Sequence, residues 1–170
     1  VCVEATAVAV VLVGATFPAG TVKNAVMEFF GPVVANLSMD YRSGIDVMTT
    51  ETTCLSSLWQ TDEQTHTALK LLGRGESYRA MVPGEGAWYD RAVVVELDKV
   101  EPMIALPFHP SNAYPIRVFQ ENLDDLLHQV ERDTREQRGV ETHAPRAGTV
   151  GDGTVTGDQV AGAYTSLATP

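Results

Sequence analysis

GPVVANLSMDYRSGIDVMTTETTCLSSLW, residues 31–59, is the stretch whose reading decides the fold of this chain. A Gly31-Pro32 step opens it and a short amphipathic segment follows. Thr49, Thr50, Thr52 and Thr53 then crowd around Glu51 before an apolar run begins. Threonine loses rotamer freedom inside a helix, and its hydroxyl offers the backbone an alternative partner. The cluster therefore belongs at a helix end or in a turn. Two readings stand side by side: a Thr-rich turn between helix and strand, or a loop presenting hydroxyls and one carboxylate to a ligand. Ser38 is placed to cap a helix on which Tyr41, Ile45 and Met48 share a face. Cys54 to Trp59 reads as a strand.

Working toward the N-terminus, Val22, Ala25, Val26, Phe29 and Phe30 follow the i, i+3, i+4, i+7 pattern, so the spacing predicts a helix capped by Thr21 and stopped at Gly31-Pro32. GATFPAG before it is a loop. Val8 to Val13 is continuously apolar and rich in β-branched residues, the pattern of a buried strand. Toward the C-terminus, Thr61-Asp62-Glu63-Gln64 fits a capping box opened by Thr61. Ala68, Leu69, Leu71 and Leu72 follow on that helix, which ends at Gly73. Residues 73–90 are polar and irregular, and Ala92 to Leu97 (AVVVEL) reads as another strand.

VEPMIALPFHPSNAYPI carries four prolines. It reads as an extended surface connector, since proline suits neither a helix interior nor a central strand. From Gln120 to about Arg138 a helix is expected, with Phe119, Leu123, Leu126, Leu127 and Val130 on one face and that face lost beyond Val130. Alternating strands and helices argue for an α/β fold, a layered sheet with helices packed on its faces. The expected division is an α/β domain over 1–106, a connector and amphipathic helix over 107–138, and a Gly/Thr-rich extension over 139–170. That extension is the start of a further domain or partly disordered.

The chain has 170 residues, a formal net charge of -10 and a sequence pI near 4.7. Nucleic acid and anionic membranes call for Lys/Arg-rich faces, so neither is expected as a partner. Two cysteines, Cys2 and Cys54, make no disulfide framework and show no zinc spacing. A reducing, cytoplasmic setting is the default. The opening VCVEATAVAVVLVGA lacks a basic lead and is too short to span a bilayer. Its first residue, Val1, suggests a processed or excised piece.

The candidate chemistry is sparse. Cys54 sits in an apolar run and reads as a small buried hydrophobe. Its nearest charges, Asp46 and Glu51, are acidic and disfavour a reactive thiol. His66 and His128 fall on amphipathic helices, and His143 lies in the C-terminal extension. His109 stands in a proline-framed turn beside Ser111 and Asn112, as turn structure or as a ligand contact. Arg42 is either a solvated helix residue or a carboxylate binder.

The opening stretch resembles the aconitase superfamily, the iron–sulfur hydro-lyases. GPVV at Gly31–Val34 is similar to that family's G-P-G-V block. IDVMTTE at Ile45–Glu51 is similar to its I-x-N-M-x-x-E helix end, with Val47 in place of the asparagine. CLSSLW matches the strand after it, and TDE at Thr61–Glu63 the acidic helix start that follows. VVVELDKVEP at Val93–Pro102 resembles the strand-then-proline element before the next domain. The likeness runs from about Val8 to Val130 and is closest to an aconitase-like hydratase branch.

The resemblance implies the second domain of such an enzyme with the entry to the third. It implies a 4Fe-4S cluster in the full-length family, held by cysteines that this chain lacks: Ala163 stands where the first is expected, so no metal ligand is assigned here. Glu51 is then the catalytic candidate, at the substrate hydroxyl. Arg42, His109 and Ser111 are weaker candidates for substrate binding. The implied partners are the remaining domains of the enzyme and a small hydroxy or polycarboxylic acid substrate. The isolated chain is expected to be inactive as a hydratase. The alternative is a non-catalytic binding or structural module that keeps the fold.

Overall fold

The computed structural model describes residues 4–139. Helix α1 spans Ala5–Thr16, strand β1 Val26–Phe29, helix α2 Met39–Asp46, strand β2 Ser56–Trp59 and helix α3 Glu63–Leu71. Strands β3, Met103–Ala105, and β4, Ala113–Pro115, precede helices α4, Ile116–Glu121, and α5, Leu123–Arg138. The α/β character holds, carried among the described residues by two two-stranded sheets. β1 and β2 are parallel, with Val26 opposite Ser56 and Phe29 opposite Trp59. Parallel strands need a crossover, and α2 with the 3₁₀ turn Val47–Thr52 supplies it. β3 and β4 form an antiparallel hairpin, Met103 opposite Pro115.

The run expected as a strand at Val8 to Val13 is helix α1. Val8, Ala9, Val10, Leu12, Val13 and Thr16 are all buried. A helix buried on nearly every side has apolar residues all round, which erases the period that would mark it. Its length also exceeds a typical strand, and length is what separates the two for continuous apolar runs.

The helix expected over Val22 to Phe30 is absent. Asn24 takes φ 59, which ends any right-handed turn, and β1 begins two residues later. Its apolar side chains fit helical spacing by coincidence. Met27 is buried, and Phe29 stacks on Trp59 of β2 with ring centroids 4.3 Å apart. Gly31, at φ 136, follows the strand rather than a helix.

α2 starts as expected: the Ser38 hydroxyl accepts from the Tyr41 backbone N–H at 3.2 Å. α3 is capped by Asp62 rather than Thr61. Asp62 accepts from Thr65 N–H, and Thr65 Oγ1 accepts from Asp62 N–H in return. A carboxylate is the stronger acceptor at a helix N-terminus. Thr61 is used differently, its Oγ1 accepting from Met81 N–H at 2.7 Å. Gly73, φ 69, follows the end of α3.

Residues 92–97 have strand composition but no ladder. Val95 and Leu97 pack on the first core while Val94 is exposed; among the described residues no strand pairs with the run, and Leu97 opens a 3₁₀ turn, Leu97–Lys99. The whole segment from Tyr78 to Val100 crosses the surface without a ladder, pinned at points. Tyr89 Oη donates to Glu28 at 2.7 Å, and the Arg91 guanidinium donates to the Thr21 carbonyl. The proline-rich connector, in contrast, does pair: it contains the β3–β4 hairpin. Pro115 closes the last rung of a two-stranded ribbon, a position that tolerates a missing N–H. The expected division after residue 106 falls in the loop of that hairpin.

The C-terminal helix begins at Ile116 and breaks at Asn122 into α4 and α5. Phe119 and Val130 are buried as the face requires. The buried face runs further than expected, because Thr134 is buried with its hydroxyl donating to Val130 O at 2.7 Å. Two cores result. Val8, Leu12, Val22, Met27 and Ile45 form one, and Leu106, Phe119 and Val130 the other. α1 packs against α2 on one side and against β3 and β4 on the other, so it joins them. The expectations for His143, Ala163 and the Gly/Thr-rich extension lie outside the described residues.

Candidate functional site

The crossover between β1 and β2 is built from residues that satisfy one another. Thr52 is fully buried, and its hydroxyl donates to Thr49 O at 2.6 Å. Thr49 Oγ1 donates to Asp46 O at 2.8 Å, and Thr50 Oγ1 to Val47 O at 3.1 Å. Thr53 takes φ 62 as the turn closes. The threonine cluster is therefore turn chemistry, and the hydroxyls of Thr49, Thr50 and Thr52 are consumed by the backbone they stiffen. Asp46 fixes the turn to the sheet, accepting from Ser57 Oγ at 2.7 Å and from Trp59 Nε1 at 2.9 Å. Cys54 Sγ donates to Thr49 O at 3.4 Å and packs on the first core.

Arg42 is neither solvated nor presented to a ligand. It is 1% exposed. Its Nη2 reaches Asp62 Oδ2 at 2.6 Å and Val34 O at 2.8 Å, its Nε Leu37 O at 3.1 Å, and its Nη1 Gln60 O at 3.4 Å. A planar fork of donors suits such a set of acceptors. Partial burial pushes the Asp62 carboxyl upward. The Arg42 hydrogen bond, the Thr65 N–H, the Arg42 charge and the Gln64 N–H outweigh it and hold the carboxyl below its ordinary value. Arg42 thus ties α2, the turn before it and the start of α3 into one piece.

Glu51 is the exception in this stretch. It rides on the stiff 3₁₀ turn with its side chain 44% exposed, and its Oε2 lies 3.9 Å from His109 Nε2. His109 comes from the β3–β4 loop, which is closed by Asn112 N–H on His109 O at 2.9 Å and Leu106 N–H on Asn112 O at 2.7 Å. Its Nδ1 lies 2.8 Å from Ser111 Oγ and accepts the Ser111 backbone N–H at 3.1 Å. The ring stacks on Phe17, centroids 3.7 Å apart. The structure thus brings together Glu51, His109 and Ser111, and leaves Arg42 in a separate network. His109 is paired with a carboxylate and a serine, a pairing that the sequence reading did not anticipate. Phe17 carried no signal in GATFPAG. Val47, where the resemblance expects an asparagine, is exposed on the same turn.

The other described histidines serve their helices. His66 lies 3.7 Å from Glu63 and packs beside Tyr78, and His128 Nδ1 is 2.6 Å from Asp124 O. Among the described residues, no three His, Cys, Asp or Glu side chains cluster in a way that could hold a metal ion. No helix of the described residues is long and apolar enough to cross a membrane.

Comparison with known proteins matches residues 2–160 to a family described as the aconitase family (aconitate hydratase). The 3-isopropylmalate dehydratase large subunit of Campylobacter concisus is 35% identical over 100 residues, covering 59% of this chain and 23% of that protein. The 3-isopropylmalate dehydratase large subunit 1 of Thermotoga maritima is 29% identical over 99 residues, 58% of this chain and 22% of its own. The 2,3-dimethylmalate dehydratase large subunit of Eubacterium barkeri is 30% identical over 95 residues, 56% of this chain and 22% of its own. The matched stretch therefore spans less than a quarter of each of these relatives. This family implies an iron–sulfur cluster in the full-length enzyme. Such clusters are held by cysteine thiolates. Among the described residues Cys54 is the cysteine, and its thiol is turned to a backbone carbonyl beside the core. The described residues do not fit a cluster-ligating role.

Proposed function

The chain belongs to the aconitase family, and from that premise we propose that it forms part of a hydro-lyase acting on a small hydroxy or polycarboxylic acid, in a reducing, cytoplasmic setting. One observation supports this above the rest. Glu51, in the IDVMTTE block, is held on a rigid turn with its carboxylate accessible, while the neighbouring polar groups Asp46, Thr49 and Thr52 are internally satisfied. A fixed, accessible carboxylate suits proton transfer at a substrate hydroxyl. His109 stands beside it, and Ser111 holds the far side of the His109 ring. Arg42 is assigned to the framework instead of the substrate.

In this reading residues 1–106 belong to one aconitase-type domain, 107–138 lead out of it, and 139–170 continue toward the next. The cluster and the remaining substrate contacts come from other parts of the assembled enzyme. Tests use the complete assembled protein with 3-isopropylmalate and 2,3-dimethylmalate, the acids named for its relatives, as probes. Glu51→Gln is expected to lower kcat by about 100-fold or more, with folding retained. Full turnover in that variant would sink the reading. Exposed Val47, which cannot offer the amide of the family pattern, favours a second reading as a non-catalytic module. That reading gains if the unsubstituted assembly dehydrates neither acid.

A further inference from the structure

We propose that His109 is a positioning residue for Glu51, with its ring proton locked on Nε2 and directed at the carboxylate. The inference rests on the reading of Glu51 given above. It is carried by the geometry of the hairpin loop. A backbone N–H can only donate, and the Ser111 N–H donates to His109 Nδ1 at 3.1 Å. Nδ1 in the neutral ring is therefore without a proton. The Ser111 hydroxyl, 2.8 Å from the same nitrogen, then donates to it as well. With Nδ1 supplied by two donors, the neutral imidazole carries its hydrogen on Nε2, and Nε2 faces Glu51 Oε2 across 3.9 Å.

The ring has little freedom to turn away. Phe17 covers one face at 3.7 Å between centroids. Within the loop Pro107 and Pro110 bracket Phe108 and His109, and Asn112 N–H on His109 O holds the backbone. The gap to Glu51 exceeds a hydrogen bond by about 1 Å, and in the proposed pairing the half-exposed glutamate side chain turns to close it. The two groups come from different elements, the crossover turn and the hairpin loop. Their meeting couples the candidate catalytic carboxylate to the hairpin that leads into the second core. The serine–histidine–carboxylate order has the look of a nucleophilic triad. Here, however, the serine and its own N–H both serve to fix the ring.

The test reads the ring directly, by long-range ¹H–¹⁵N NMR of the whole chain labelled in histidine. The His109 signals are assigned by their loss in His109→Gln. At mildly alkaline pH, where imidazoles are neutral, the Nε2–H tautomer is expected in about tenfold excess, as one favoured hydrogen bond dictates. A majority of Nδ1–H in the unsubstituted chain overturns the proposal without any variant having to fold. Ser111→Ala removes one of the two donors and is expected to reduce the excess several-fold; an unchanged excess removes Ser111 from the scheme. Glu51→Gln is expected to move the His109 Nε2 resonance, and an unmoved resonance overturns the pairing. In the assembled enzyme, His109→Ala is expected to lower kcat about tenfold with KM unchanged, and His109→Gln, which keeps a donor, to restore most of it. If Glu51→Gln leaves turnover intact while the tautomer is as stated, the reading of Glu51 has failed and the ring geometry has not.

Discussion

Arg42 and Glu51 lie nine residues apart on one crossover and have opposite fates. The Arg42 region is closed: every direction its guanidinium points meets an acceptor, and the side chain is 1% exposed. The Glu51 region is open: its carboxylate is 44% exposed and meets one imidazole at 3.9 Å. A charge wrapped in carbonyls and an aspartate is architecture, since removing its partners would leave an uncompensated buried ion. A charge left accessible on a stiff turn is available for chemistry. The contrast teaches that, in one short stretch, partner count separates framework from site better than residue type does.

The sharpest way to break this contrast is Arg42→Ala. It takes the charge partner from Asp62 and the side-chain donors from the Leu37 and Gln60 carbonyls, and empties a buried site; a loss of about 3 kcal/mol is expected in urea denaturation. A loss within the range of a surface substitution would mean that Arg42 is not the framework residue described. Asp62→Asn comes next, at about 1.5–3 kcal/mol, because it removes the charge from a charge-assisted pair. Its pH signature has a definite sign. The folded carboxyl lies below its ordinary value of 3.8, so its stabilising contribution is fully present above that pH. The contribution is lost as pH falls through the folded value. The unsubstituted chain is therefore expected to lose stability more steeply than Asp62→Asn on acidification below about pH 4, as followed by circular dichroism. Thr52→Val, which deletes a buried hydroxyl bond within the turn, is expected to cost about 1 kcal/mol. Glu51→Gln marks the other end of the comparison, within about 0.5 kcal/mol of the unsubstituted chain. A large loss there would make Glu51 another framework group.

Much of this was legible in the sequence where local rules decide. Ser38 caps α2, Gly73 ends α3, and the Phe119, Leu123 and Val130 spacing lies on α4 and α5. CLSSLW yields β2, paired with β1 and held by the stack of Phe29 on Trp59. The errors have physical causes. α1 is buried on nearly every side and so shows no period. β1 is a short strand, and its Val26 and Phe29 happen to fall at helical spacing with Val22, Ala25 and Phe30 around it. Residues 92–97 have strand composition, but a strand exists only through a partner, and none of the described strands lies beside them. At the candidate site, the proline-framed turn around His109 was visible, and so was Glu51. Their meeting was not, because it depends on how the hairpin packs on α1. The burial of Arg42 was equally hidden, since Gln60 and Asp62, its acceptors beyond the helix, lie outside any local window.

The bridging position of α1 has one more consequence. The segment from Tyr78 to Val100 has no ladder to protect its amides, and Trp88 and Val94 stand largely in solvent. A protease finds its first cuts in such a segment. Severing it separates the chain covalently into an N-terminal piece with α1 to α3 and a C-terminal piece with the hairpin and α4 and α5. The two pieces nevertheless share the surface that α1 presents to β3 and β4. A chain nicked there is expected to migrate as one particle in gel filtration and as two bands under denaturation. On that outcome the peptide link across the surface is dispensable for holding Glu51 and His109 together, and the docking of α1 on β3 and β4 does that.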